Sequence, residues 1–110
     1  MINSPKTLNR KAELKSIGRL NRTGMADGNA GRYDEAKAKL KTALTKIQNI
    51  GLGCLEPKIL NNLGLVHAME GRWDQAIFYY NDALAMTEHH SGTDTVLYRT
   101  VQKNITHLFQ

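Results

Sequence analysis

The sequence predicts an all-α fold, an α-α superhelix of antiparallel helix pairs, on three observations. Only two prolines interrupt a vocabulary rich in Ala, Leu, Lys, Gln and Met, residues that favour helices. Apolar positions recur at spacings of three and four, which places them on one helix face. The hexapeptide GRYDEA of residues 31–36 returns as GRWDQA at residues 71–76. The same shift of 40 carries Leu20 to Leu60, Gly24 to Gly64, and Ala43-Leu44 to Ala83-Leu84. A repeated unit of this size cannot bury its apolar face alone and must stack on its neighbour. The chain therefore reads as one domain over residues 7–110. A first repeat covers about 7–50, a second about 57–90, and a C-terminal capping helix about 94–108, some five helices in all.

Residues 1–6 show no periodicity and are expected to be frayed and disordered. Leu8, Ala12, Ile17 and Leu20 are spaced for a helix from about Thr7 to Asp27, weakened by Gly18, Gly24 and Gly28, and GNAG (28–31) reads as a turn. The second helix, Asp34 to about Ile50, turns Ala36, Leu40, Ala43, Leu44 and Ile47 inward. IGLGCLE (50–56) is a linker, and Pro57 suits the first turn of the third helix. There Leu60, Leu63, Gly64 and His67 share a face. Gly64, in mid-helix, costs roughly 1 kcal/mol against Ala, so its presence implies a close neighbour. Gly71 can take the left-handed conformation that ends a helix, and Asp74 is placed to accept free amides at the next start. Ala76, Tyr80, Ala83 and Leu84 form the inward stripe of the fourth helix, which runs to His89 or His90 before Ser91-Gly92. Thr93 or Asp94 caps the fifth helix, whose inward stripe is Leu97, Val101, Ile105 and Leu108. Tyr98, Ile105 and Phe109 offer a second apolar strip on it, a surface for self-association.

The stretch Leu60–Leu84 resembles a tetratricopeptide repeat, whose pattern is W-x2-L-G-x2-Y, then A-x3-F, then P. Leu60, Leu63, Gly64, His67, Ala76 and Tyr80 match it, with Ala83 a further small residue of the pattern. Leu60 replaces Trp, His67 replaces Tyr, Tyr80 replaces Phe, and Glu88 stands where Pro is expected. The first copy is degenerate in its first helix, with Thr23 and Asp27 in place of Leu63 and His67. A spacing of 40, against the usual 34, is similar to the longer-repeat subclass.

Composition narrows the function. With 41% hydrophobic and 23% charged residues, the chain reads as an ordinary soluble globular protein, and no apolar run reaches membrane-spanning length. The polar N-terminus lacks a signal-peptide core, and lone Cys54 fits a reducing compartment, so a cytoplasmic location is expected. No catalytic constellation, metal site or cofactor site is expected. His89 and His90 are adjacent, point apart and suit a helix C-terminus. His67 belongs to a packed face, and His107 is isolated. Charge is uneven: residues 1–50 carry eleven Lys or Arg against four Asp or Glu, residues 51–110 four against six. That asymmetry would attract an acidic partner or a second copy head to tail. Basic residues Lys6, Arg10, Lys11, Lys15, Arg19 and Arg22 lie on one helix, but no aromatics interleave with them, so nucleic acid is the weaker reading.

The resemblance implies a function. In that family the first helix of each repeat lines a concave groove that takes up peptides or helices of other proteins. Carried over to this sequence, the first copy would present Asn21, Arg22 and Met25. The second would present Lys58, Asn61, Asn62, Leu65 and Met69, and the fifth helix Tyr98, Arg99 and Gln102. A carboxylate clamp of Lys and Asn pairs, found in some members, is not supported, because Asn21 and Met25 stand where Lys and Asn would be. A non-catalytic protein-interaction module is thus expected. The alternatives are a self-associating scaffold, since three repeats are usually wanted for stability, and a basic nucleic-acid adaptor.

Overall fold

The computed structural model describes residues 5–110, with side chains from Asn9 onward. The expected disorder at residues 1–6 lies outside the described residues for 1–4, whereas Pro5 already opens the first helix. The elements are α1 (Pro5–Asn29), α2 (Tyr33–Ile50), a 3-10 turn (Gly53–Leu55), α3 (Glu56–Met69), α4 (Trp73–Ser91) and α5 (Val96–His107). Among the described residues no helix is long and apolar enough to cross a membrane.

The two hairpin turns are built alike, as the repeated hexapeptide requires. Gly31 (φ 81°) and Gly71 (φ 79°) are left-handed. Each donates to the carbonyl three residues back, Gly28 or Ala68, and the following Arg32 or Arg72 donates to Asp27 or His67. This is the paired closure that satisfies the last carbonyls of a helix and needs a residue free of Cβ strain. GNAG is only partly turn, because α1 continues to Asn29 before that closure.

Two starts differ from expectation. Arg72 stands at the N-cap of α4 and no side chain caps it; Asp74 lies inside the first turn, where it meets the helix dipole without accepting an amide. The fifth helix is capped by Thr95, not Thr93 or Asp94: its Oγ1 accepts from the Tyr98 amide at 3.0 Å. Thr95 is the residue with extended backbone (φ −135°), the conformation an N-cap needs.

Packing follows the repeat. Within each pair, α1 lies on α2 and α3 on α4, and the pairs join through α2 on α3 and α4 on α5. Cα atoms of α1 and α3, and of α3 and α5, also approach within 8 Å, whereas none of α2 and α4 do. The first helices of the repeats are therefore the closely spaced layer, and the array bends toward them. The shortest dimension, 17 Å, fits two helix layers.

One core cluster joins Ile17, Ala36, Leu40, Ala43, Ile47, Ile59, Leu63 and Val66; the other joins Leu60, Ala76, Tyr80, Ala83 and Val101. The close neighbour of Gly64 is Tyr80: a Cβ on Gly64 would stand 2.5 Å from the ring Cδ1. Of the stripe expected in α1, Ile17 is buried and Leu20 half-buried, but Ala12 faces solvent. On α5, Val101 is buried and Leu97, Ile105 and Leu108 pack against the second cluster. The apolar strip expected at Tyr98, Ile105 and Phe109 is therefore broken. Ile105 turns inward and Tyr98 is half-buried, leaving Phe109 exposed past the helix end.

Candidate functional site

The inner layer brings some of the expected site residues together and withdraws others. Asn62 on α3 donates its amide to Asn21 Oδ1 on α1 at 2.6 Å, so these two form one polar patch across neighbouring repeats. Asn61 does not belong to the surface. It is 5% exposed, and its Oδ1 accepts from Asn104 of α5 at 2.9 Å. Its role is to tie α5 to α3, because a buried amide left unpaired is costly.

A cavity of about 350 Å3 opens beside the Asn21–Asn62 patch. Leu14, Ile17, Gly18 and Asn21 of α1 form one wall, and Lys58 and Ile59 of α3 form the other. Leu55 and Cys54 of the 3-10 turn and Leu97 of α5 close its ends, over Ile47. The wall is mostly apolar, yet Leu14 and Leu55 remain exposed. Arg22 reaches back along α1 toward Gly18, one of the cavity's wall residues: a Cβ on Gly18 would lie 3.3 Å from an Arg22 guanidinium nitrogen. Cys54 is a free, exposed thiol at the rim.

The remaining expected residues lie elsewhere. Met25 packs at the edge of the first core cluster and Leu65 at the edge of the second. Met69 is partly exposed at the far end of α3, against the last turn of α1 near Gly28. Arg99 pairs with Asp94 at 2.8 Å and, with Gln102, lines a separate depression formed by α5 and Gln110. Tyr98 is half-buried at the start of α5. Leu14, Leu55 and Leu97 were not foreseen as cavity walls. Their only trace in the sequence is three leucines in stretches where the copies do not match, and nothing in the spacing says that they meet.

At the hinge of each helix pair equivalent positions meet, as an ion pair in the first repeat and as a ring stack in the second. Asp27 Oδ2 accepts from Lys39 at 2.6 Å and Oδ1 from Arg32 at 2.9 Å, and these donors hold its carboxyl below the usual carboxylate range. Lys37 of α2 reaches Glu70 at the end of α3 at 2.7 Å, lowering that carboxyl likewise and linking the two repeats. His67 is buried with neither ring nitrogen hydrogen-bonded, and it stacks on Tyr79 with centroids 5.2 Å apart. Burial, followed by the charge of Lys37, pushes its pKa below the ordinary 6.5. Burial raises the Tyr80 hydroxyl to about 12.

The family model described as "Tetratricopeptide repeat" matches residues 20–89, more than half of the chain and both helix pairs except the first part of α1. The chain belongs to the tetratricopeptide repeat family. Such repeats mediate interactions between proteins. The matched region ends near the last turn of α4, so α5 stands outside it as the helix that covers the second repeat. No curated protein and no solved structure matches this tetratricopeptide repeat chain.

Proposed function

We propose that this tetratricopeptide repeat chain is a non-catalytic interaction module that takes up a segment of another protein on its inner face. The observation that carries the reading is the cavity between α1, α3 and the start of α5. Apolar side chains stand open there without a covering element, beside a cation (Lys58) and two amides (Asn21 and Asn62). Apolar walls supply affinity, and the few polar groups at the rim orient the bound segment. Arg22 extends the rim, and Met25, Leu65 and Met69 continue the face toward the end of α3. Tyr98, Arg99 and Gln102 contribute on α5 where a longer segment crosses it. Asn61 holds the wall in place from behind. The module works in the cytoplasm on this reading, where an exposed thiol such as Cys54 stays reduced.

The test is partner capture with the wild-type chain and with Leu14→Asp combined with Leu55→Asp. Both leucines are exposed, so their replacement leaves the core intact. Capture should be lost while helicity and melting temperature stay unchanged. Retained capture by the folded double variant would overturn the cavity as the binding site.

A further inference from the structure

The cavity has a complementary surface on the chain itself. On α1, residues 14, 17, 18 and 21 face the cavity, and Lys11, Lys15 and Arg22 follow one another on the adjoining stripe at helical spacing. All three are exposed, as is Lys58 opposite them, and none enters an ion pair among the described residues. The nearby carboxylates are engaged elsewhere: Glu13 with Lys46, Glu56 with Gln48, and Asp94 with Arg99. The cavity therefore has an apolar floor and one cation, Lys58, in its wall, and an unneutralised cationic stripe about 16 Å long, from Lys11 to Arg22, runs along the adjoining face of α1.

On the outer side of α4, Asp74, Phe78 and Asp82 stand at successive spacings of four, on one stripe. Phe78 is 65% exposed, among the most exposed large apolar side chains described. Asp74 and Asp82 are exposed on either side of it and enter no ion pair among the described residues. They are separated by about 12 Å along the helix, within the length of the cationic stripe. The ring rests edge-on against that of Tyr79, with centroids 5.4 Å apart, which fixes its orientation while leaving most of it open.

We propose that the α4 stripe of a second copy docks on this cavity, with Phe78 entering between Leu14, Leu55 and Leu97 and its two aspartates meeting Lys15, Arg22 and Lys58. The aromatic ring fills apolar space that would otherwise hold water, and the flanking charges set the register. A nucleic acid is the poorer occupant, because a phosphate chain leaves the apolar floor unfilled and, among the described residues, no aromatic side chain lines the cavity to stack a base. The contact joins two different surfaces, so each chain offers one cavity and one α4 stripe, and addition proceeds head to tail. It uses the same cavity as the interaction reading above, so self-docking and partner uptake exclude each other.

The experiment is molar mass by light scattering across a dilution series, at ~50 mM and ~500 mM salt. The wild-type mass should rise with concentration above the single-chain 12.3 kDa, without a plateau at two chains, and fall in high salt. Phe78→Asp should weaken association by about tenfold or more, as should Lys15→Glu with Arg22→Glu. Asp74→Lys with Asp82→Lys should do the same alone, and mixing it with the Lys15→Glu, Arg22→Glu chain should restore association. All these positions are exposed, and circular dichroism of each variant confirms the fold. A wild-type chain that stays at 12.3 kDa at millimolar concentration overturns the proposal. So does a dimer plateau that Phe78→Asp leaves untouched. Neither result bears on partner uptake, which the leucine variants test separately.

Discussion

Asp27 and His67 occupy the same place in successive repeats, and each faces the same position of the following helix. Asp27 is bonded to Lys39, while His67 is stacked on Tyr79. A residue pair has thus been exchanged as a unit, an ion pair for an aromatic stack, with the surrounding backbone closure unchanged. Replacing one partner should fail where replacing both succeeds. His67→Asp alone should cost about 1–3 kcal/mol, because Arg72 stands where Arg32 serves Asp27 but the second donor, supplied there by Lys39, is replaced by the Tyr79 ring. Adding Tyr79→Lys should recover at least half of that. A double-mutant cycle by urea unfolding measures the coupling, and strictly additive losses would refute the equivalence.

The buried imidazole also gives stability a pH dependence. Its folded pKa is lowered, mainly by burial, so folding favours the neutral ring. The unfolded chain therefore binds a proton first as pH falls, and stability is full above about 6.5 and declines below it. Asp27 and Glu70 act in a lower window: their folded pKa values are depressed, so their contribution persists until pH falls below the ordinary carboxylate range. His67→Phe should flatten the stability profile between pH 7 and pH 5 relative to wild type, as read by urea midpoints at each pH.

Gly64 and Gly24 are also equivalent, but only one of them is sterically fixed. A Cβ on Gly64 collides with the Tyr80 ring, whereas one on Gly24 meets Leu40 Cγ at 3.3 Å and the Ala36 carbonyl at 3.4 Å. Gly64→Ala should destabilise by about 2–3 kcal/mol, and Tyr80→Leu should relieve part of that loss by copying the first repeat. At Gly24 the gain in helix propensity, roughly 1 kcal/mol, offsets the tight contact, so Gly24→Ala should fall within about 1 kcal/mol of wild type. Thermal unfolding of the three variants decides between steric and propensity effects.

Adjacent asparagines should behave differently. Asn61→Ala leaves the Asn104 amide without its partner inside the structure and should cost about 1–2 kcal/mol. Asn62→Ala breaks only the half-buried bond to Asn21 and should cost less than about 1 kcal/mol, while weakening partner capture. Equal melting temperatures for the two variants would show that Asn61 does not anchor α5.

Removing the Thr95 hydroxyl tests the last helix. Thr95→Ala should lower stability by about 1 kcal/mol and raise amide exchange in the first turn of α5. Unchanged exchange at Tyr98 would show that the cap is not what starts the helix.

The sequence by itself determined the helical pairs, their order and the family. Each of those follows from local rules: a period near 3.6, a glycine where the backbone must turn left-handed, and small residues where helices meet. Gly71 was legible because the repeat states its turn twice, and Gly64 announced a close neighbour without naming it; the ring it meets, Tyr80, belongs to one copy only, Leu40 standing in the other. The tertiary structure decided what spacing cannot express. Asn61 and Asn62 are neighbours in sequence, yet one helical step of about 100° sends one inward to Asn104 and the other outward to Asn21. Ile105 could have faced either way on α5, and packing against the second cluster turned it inward. The cavity depends on Leu14, Leu55 and Leu97, three side chains from separate elements. Their meeting is set by how far one repeat rotates on the next, a sum of many small contacts that no local pattern records.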